Sequence, residues 1–532
     1  MPPGARAVTS ADARVLGLGQ HRCRYAQSHD TAVNVAAHPA AARTSTASTA
    51  LRLPRWWPLA ALTLVAAVLR LSTLDLQSFW FDEAFTPVHV LHPSLWATLR
   101  GIVRTENTPP LWYLLAWADS RVLGTGEVAL RLPAALAGIA AVPVAWAIGR
   151  ELAGRRAALA CAALVAVNPL FVWYSQEARA YGLFVLTAAL AMLCFLRAQR
   201  EPTRGRMAAL ALTGSLAMLS HYFAVFLLIP MVLWLLWERR TRMPALPAVA
   251  TFTLVGAALV PLVLAQGGQS TQWIGEWALS ERLQAIPQYY LTGYSGGPLG
   301  HKVELLVALP ILAGLGLGLW RMRERPQSLR AVLLPLSIAA CGVLIPILLV
   351  GFGADYLAPR NLVGAMIPLT ALIAVMVVWP GTGRAGIGIA AVIAIAFLAV
   401  SIDVDLKANL QRENWRDLAA DIDHAAGGRV ITTVEFGSAP LEYYLPGLHP
   451  LREGDSVMVS EIDETANEAP RAPTPPPAPG FRLAGLVTVD GLTAYRFVSR
   501  VPVRLSQAAL IAHLITHAKA EALISSGTRV SS

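Results

Sequence analysis

Apolar runs long enough, or nearly long enough, to cross a bilayer dominate the chain, at about 56–74, 131–148, 157–174, 180–196, 207–220, 222–237, 247–265, 302–320, 331–352, 362–380 and 387–402. A membrane helix needs about 20 such residues, because in hydrocarbon only a structure that closes its own backbone hydrogen bonds is tolerated. The expectation is an α-helical polytopic membrane protein with about 11 transmembrane helices. Composition agrees: 55% of residues are hydrophobic and 14% charged, outside the balance of a soluble protein. The formal charge of +10 does not point to nucleic acid, since the arginines fall in short clusters between apolar runs, where they control topology. Of the four cysteines, Cys161, Cys194 and Cys341 lie in apolar runs and Cys23 in the N-terminal stretch, a pattern that forms neither a disulfide framework nor a metal site.

The clusters Arg150, Arg155 and Arg156; Arg197, Arg200, Arg204 and Arg206; Arg239, Arg240 and Arg242; Arg321, Arg323, Arg325 and Arg330; and Arg384 all reach the cytoplasm if the N-terminus is inside, as the positive-inside rule requires. This holds only if PPLWYLLAWADSRVLG, 109–124, lies at the interface instead of crossing. The outer side then receives the loop from about 75 to 130, SQEARAYG at 175–182, the junction Ser220 to Tyr222, a loop from about 266 to 300, DYLAPRN at 355–361, and everything after about 403. Four domains follow: a disordered cytoplasmic tail or over-extended start over 1–53, a transmembrane domain over 54–402, a small extracytoplasmic α/β domain over 403–500, and a tail or surface helix over 501–532. In the α/β domain, NWRDLAADIDHAA (414–426) reads as an amphipathic helix and VITTV (430–434) and LVTVDGLTAYRFV (486–498) as strands.

Chemistry-bearing residues gather on that outer side. SFWFDEAFT, 78–86, sets Asp82 and Glu83 among Phe79, Trp80, Phe81 and Phe85. Acids at a helix start can simply favour its dipole, but a carboxylate among rings at headgroup depth is partly desolvated and becomes a better base, with its neighbour orienting it or holding a cation. Glu177 and Arg179 follow the run NPLFVWY, in which Asn168 and Pro169 loosen the helix. They read either as a local ion pair or as a second acid and a phosphate clamp. DYLAPRN brings Asp355, Tyr356 and Arg360 to a third outer edge, where Arg360 either snorkels to the interface or serves function. His221 and Tyr222 are read as structural ahead of ligand-binding. His89 and His92 reach a metal only with Glu83 or Glu106, a weak signal without a fixed third ligand.

FDEAFT, TPPLWYLLAW, ALRLPAALAGIAAV, NPLFVWYSQEARAYGLFVL, SHYFAVFLLI and YLAPRN, taken in order, resemble the bacterial branch of glycosyltransferase family 39, the C-type membrane glycosyltransferases that include protein O-mannosyltransferases and the lipid A aminoarabinose transferase. The resemblance covers about 56–400, and NWRDLAADI and LEYYLPG resemble the extracytoplasmic domain of actinobacterial members. It implies inverting transfer of a sugar, mannose first and a pentose second, from a polyprenyl phosphate donor to an extracytoplasmic protein or glycan acceptor at the cytoplasmic membrane, with juxtamembrane helices in the first outer loop. It places the catalytic acid on Asp82 with Glu83 beside it, a second acid on Glu177, and donor phosphate contacts on Arg179, Arg360 and Tyr356. Trp80, Tyr181, His221 and Tyr222 are the expected substrate contacts. The resemblance requires no cofactor; a divalent cation near Glu83 or Glu177 stays open. In relatives the residue before the double proline is often His or Lys, and here it is Thr108, which weakens an aminoarabinose reading and leaves the phosphate to arginines. A lipid or sugar transporter and an inactive scaffold are the alternatives.

Overall fold

The computed structural model describes residues 56–267, 272–293, 300–324, 329–424, 428–434, 437–467, 475–512, 520–526, 528, 530 and 531. The expectations for 1–53 and for Cys23 lie outside them. A helical body runs from Trp57 to Leu406, and a seven-stranded sheet with three short helices follows.

The body opens with α1 (Trp57–Leu71), and three short helices come before the next long one: α2 (Phe81–Phe85), α3 (Leu95–Thr105) and α4 (Leu111–Leu123). The 13 residues of α4 rise only about 20 Å, too little to span. Then come α5 (Glu127–Val167), α6 (Pro169–Ser175), α7 (Tyr181–Arg200), α8 (Arg204–Ser220), α9 (Ala224–Trp237), α10 (Arg239–Gln266), α11 (Gln272–Glu276), α12 (Leu279–Thr292), α13 (Gly300–Glu324), α14 (Arg330–Gly351), α15 (Met366–Val377) and α16 (Gly383–Leu406).

Each apolar run coincides with helix, but the count of about 11 spans is not reached by length and hydropathy. Seven helical stretches among the described residues qualify, one being α15 with the 3₁₀ segment before it; α1 and α9 are apolar but shorter. One of the seven, α5, holds two of the expected runs. It breaks at Ala153 and Gly154, where Gly154 takes φ +78°, a conformation that needs glycine. The two arms then pack so closely that a Cβ on Gly149 would lie 2.5 Å from the Ala157 carbonyl oxygen.

The basic clusters do share one end. Glu151 pairs with Arg197 and Arg200, and Glu238 with Arg330 and Gln199. Within the body, Arg70 of α1 is fully buried without a carboxylate. It donates to the carbonyls of Val165 and Ala166 and to Ser175 Oγ. Pro169 has no N–H for the Val165 carbonyl, and Asn168 Oδ1 takes the Leu170 N–H that would serve Ala166, so the guanidinium satisfies acceptors orphaned by the Asn-Pro break.

Beyond α16, α17 (Trp415–Ile422) is capped by Asn414, whose side chain accepts from the Asp417 N–H. The strands are β1 (Arg429–Val434), β2 (Leu448–Pro450), β3 (Ser456–Ala466), β4 (Phe481–Val489), β5 (Leu492–Ser506), β6 (Ala520–Ser525) and β7 (Val530–Ser531), in the order β2-β6-β1-β3-β5-β4 with β7 against β3. Only β1 and β3 pair parallel. Residues alternate between two cores: Val430 faces Phe497 and Leu510, while Ile431 faces Trp415, Leu418 and Leu441 under α17 and α18 (Ser438–Tyr444).

Two expectations change here. The run 486–498 is a hairpin, turning at Asp490 and Gly491, both with positive φ, as Asp-Gly favours. The segment 505–523 is no single surface helix: β5 continues to Ser506, α19 spans Gln507–Ala512, and β6 inserts between β1 and β2. The sheet therefore extends beyond residue 500.

Gly149→Val drives two methyl groups into backbone that cannot yield. It is expected to destabilise the protein by at least the ~1–3 kcal/mol of core overpacking, read as a lower thermal midpoint in detergent, whereas Gly154→Ala suffers from its backbone conformation alone.

Candidate active site

α2 is one and a half turns long, and neighbouring residues on a helix point about 100° apart. Asp82 and Glu83 therefore cannot share a face. Glu83 turns inward and is completely buried. Its two oxygens take Nε and Nη2 of Arg131, from α5, at 2.7 and 2.6 Å, and Oε1 also accepts the Ala178 N–H at 2.8 Å. Arg131 spends its remaining donors on the carbonyls of Leu74, Gln77 and Ser78, so all five are used. Burial opposes ionisation of Glu83, but Arg131, Arg412 and these hydrogen bonds hold its carboxyl below the usual range.

Asp82 turns outward, half-buried, and its Oδ2 meets Arg360 Nη1 at 2.6 Å. Arg360 stacks over Trp273, with its carbon 4.9 Å from the ring centre, and approaches Trp80 at 5.9 Å. Arg179 donates to the Asp82 backbone carbonyl and reaches Glu106 Oε2 at 3.2 Å. Tyr113, whose hydroxyl lies 3.0 Å from Thr108 Oγ1, donates to the same carboxylate. Glu106 Oε1 has no partner, and burial raises the affinity of this acid for a proton although Arg179 and Tyr113 oppose that. The Thr108 loop is tied to α10, because Gln266 donates to the carbonyls of Ile102 and Thr108 and accepts from Tyr222 Oη at 2.7 Å.

These groups line a cavity of about 770 Å³. Trp80, Asp82, Glu106, Arg179, Tyr181, His221, Tyr222, Tyr356 and Arg360 form its polar end. Val225 and Phe226 of α9, Leu259 and Val263 of α10, and Leu349 of α14 continue it as an apolar groove. His221 stacks on Phe184 at 4.8 Å, and its Nδ1 accepts from the Phe223 N–H.

Two of the expected site acids are not at the cavity. Glu83 is committed to Arg131. Glu177 is wholly buried behind the wall, paired with Arg412 at 3.0 Å, and burial pushes its carboxyl up to about 7 even against Arg412. A cation held by either acid would have to displace a guanidinium. Asp355, too, is engaged, by both terminal nitrogens of Arg282 at 2.6 and 2.8 Å. The proposed His89, His92 and acid cluster does not assemble: His89 faces Glu442 at 3.8 Å. Among the described residues, the three groups spaced to share an ion are His424, Glu461 and Asp463 in the sheet, where Arg429 and Arg496 already hold the carboxylates.

Arg131, Arg282, Arg412 and Trp273 escaped sequence reading because each acts on a partner 48 to 235 residues away or on a stretch without a motif. Arg131, inside the apolar run ALRLPAALAG, carried a signal nonetheless, since an ionisable residue at that depth asks for a partner.

Removing one member of a buried pair leaves the other charge uncompensated. Glu83→Met is therefore expected to cost about 3–5 kcal/mol, read in thermal unfolding, while Asp82→Asn costs far less. Glu177 binds a proton more tightly folded than unfolded, so wild-type stability should fall as pH rises from about 4.5 to about 7. Glu177→Gln should lack that component, so the difference in midpoint between the two proteins should shift across this window and level off above it.

Residues 107–264 match the family model described as dolichyl-phosphate-mannose-protein mannosyltransferase. No curated protein matches the chain. Among solved structures, ArnT from Cupriavidus metallidurans bound to undecaprenyl phosphate is similar with a TM-score of 0.53 and 14% identity, covering 83% of this chain and 98% of that one. Apo ArnT from the same organism has a TM-score of 0.49, 15% identity and coverage of 73% and 84%. The Archaeoglobus fulgidus oligosaccharyltransferase complexed with Zn and sulfate has a TM-score of 0.44, 14% identity and coverage of 68% and 54%. The family-model match and the fold shared with ArnT agree with the resemblance to C-type membrane glycosyltransferases read from the motifs.

Proposed function

We propose that the chain transfers a glycosyl group from a polyprenyl phosphate sugar to a hydroxyl of an extracytoplasmic protein or glycan, with inversion, at this cavity. The observation that carries the reading is the cavity's two-part character: a polar end with the carboxylates of Asp82 and Glu106 and the guanidinium groups of Arg179 and Arg360, continuous with an apolar groove between α9, α10 and α14. A lipid phosphate sugar has that same division. ArnT, whose fold the chain shares, was crystallised with undecaprenyl phosphate.

The residues divide the work as follows. Asp82 is the base that takes the proton of the acceptor hydroxyl as that oxygen attacks the anomeric carbon. The bond to phosphate breaks on the opposite face, and the phosphate keeps the electron pair. Being weakly basic, that phosphate needs charge stabilisation more than a proton, which Arg179 and Arg360 supply, with Tyr356 at the cavity mouth. Trp80, Tyr181, His221 and Tyr222 shape the sugar end. Glu83 and Glu177 are assigned to holding the loops, not to the reaction. The gathering of basic clusters at the end of the body opposite this cavity supports an extracytoplasmic site in a multi-pass protein of the cytoplasmic membrane. Mannose is the first candidate sugar, following the description of the matching family model, and a pentose the second.

The test is transfer in membrane vesicles from polyprenyl phosphate mannose labelled in the sugar. Wild type should label an extracytoplasmic acceptor, and Asp82→Asn at matched expression should lose about 10²–10⁴-fold in rate. Equal transfer by the two proteins would remove Asp82 from the role of base. Absence of transfer from mannose alongside transfer from a pentose donor would correct the sugar and keep the site.

A further inference from the structure

The segment that leads from α16 into the sheet places one side chain inside the body. Arg412 is buried and lies 4.3 Å over the Trp173 ring. Its Nη2 meets Glu177 Oε2 at 3.0 Å, its Nη1 reaches the Gln176 carbonyl at 3.5 Å, and its backbone N–H donates to Gln77 Oε1 at 3.0 Å. Around it the loop 176–179 is tied at every residue. Gln176 donates to the Leu69 carbonyl, the Ala178 N–H goes to Glu83, and the Arg179 N–H folds back on the Glu177 carbonyl at 2.7 Å. Of these four residues Arg179 alone lines the cavity.

We propose that Arg412, contributed by the approach to the C-terminal domain, is a positioning residue of the active site: by neutralising the buried Glu177 carboxylate it fixes the loop that presents Arg179 to the donor phosphate. This rests on the donor reading given above.

The physical case is one of closed options. Glu177 is completely buried, its Oε1 has no partner, and Arg412 Nε likewise has none, so the Oε2–Nη2 contact is the direct link between the two charges, with Glu83 acting on Arg412 at longer range. Without Arg412 the carboxylate either takes up a proton or drags the loop toward water. Arg179 sits two residues on, across a tight turn, so loop movement shifts its guanidinium directly. The adjacent Glu413 and Trp415 line the cavity, and Ser78 bonds both the Glu413 carbonyl and the Trp415 N–H. The same segment therefore closes the cavity beside α2 and sets the loop behind it.

The experiment measures binding of undecaprenyl phosphate to purified full-length protein in detergent, through quenching of tryptophan fluorescence, with thermal midpoints recorded in parallel. Wild type should bind. Arg412→Met should bind on the order of tenfold more weakly. Glu177→Gln/Arg412→Met, which removes both charges, should return to within about threefold of wild type, since nothing buried is then left uncompensated. Should Arg412→Met fail to fold, the double variant and Arg412→Lys, which keeps the charge without the planar fork, carry the test, the former binding like wild type and the latter several-fold more weakly. Wild-type affinity in Arg412→Met, or a double variant at least tenfold weaker than wild type, overturns the role of Arg412 while leaving the donor site in place. A wild-type protein that does not bind undecaprenyl phosphate overturns the donor reading itself, and the role of Arg412 with it. A purely structural role would lower the midpoint of Arg412→Met without changing affinity.

Discussion

The bidentate contact between Glu83 and Arg131 is the joint on which the site is built. It fastens the first loop to α5, and through Ala178 it fastens the loop between α6 and α7 to both. Replacing such a pair with well-packed apolar residues often costs a protein nothing in stability, so its contribution here is better sought in geometry. With every guanidinium donor spent, α2 has one rotational setting. That setting turns Asp82, about 100° around the helix, toward the cavity. Glu83, turned away from the cavity, thus determines where Asp82 points.

Charge at the cavity end is balanced before any ligand enters. Arg360 is held by Asp82 and Arg179 by Glu106. On the proposed reading, an arriving phosphate shares these guanidinium groups with their anionic partners, and where it replaces one it releases a carboxylate. For Asp82 the release has a chemical consequence, since a carboxylate that loses a cationic neighbour becomes a stronger base. Under the proposed function, donor binding and activation of Asp82 are thus coupled through Arg360.

Much of this was legible in the sequence, and the boundary of legibility follows from range. FDEAF, SQEARAYG and YLAPRN each contribute a residue that lines the cavity, Asp82, Arg179 and Arg360, because the residues flanking each span are local information. Which of two adjacent acids faces the cavity was not legible, because that depends on Arg131, 48 residues further on. Glu177 was singled out as an ionisable group at membrane depth, and it is one. Its partner, 235 residues away, decides that it lies behind the wall. The C-terminal misreading has the same origin. LSQAALIAHLITHAKAEAL has local helical character, and among its described residues Gln507–Ala512 keeps it. Ala520–Ser525 becomes a strand because β1 and β2 each offer it a free edge, a non-local gain that overrides propensity.

The C-terminal domain is more than an appendage to the membrane body. Tyr444 and Arg416 converge on Glu127 at the start of α5, Tyr444 also bonds the Phe79 N–H, and Arg416 reaches the Asp75 and Gln77 carbonyls. These contacts hold the stretch 75–79 together with those of Arg131, so the residues just before Asp82 are tied to both a membrane helix and the sheet domain. A base must meet its acceptor hydroxyl within about 0.5 Å of the productive position to be useful. A five-residue helix on a loop does not hold such a tolerance by itself. The clamp supplies the missing rigidity, which is a physical reason for this membrane body to carry a folded domain beside its cavity.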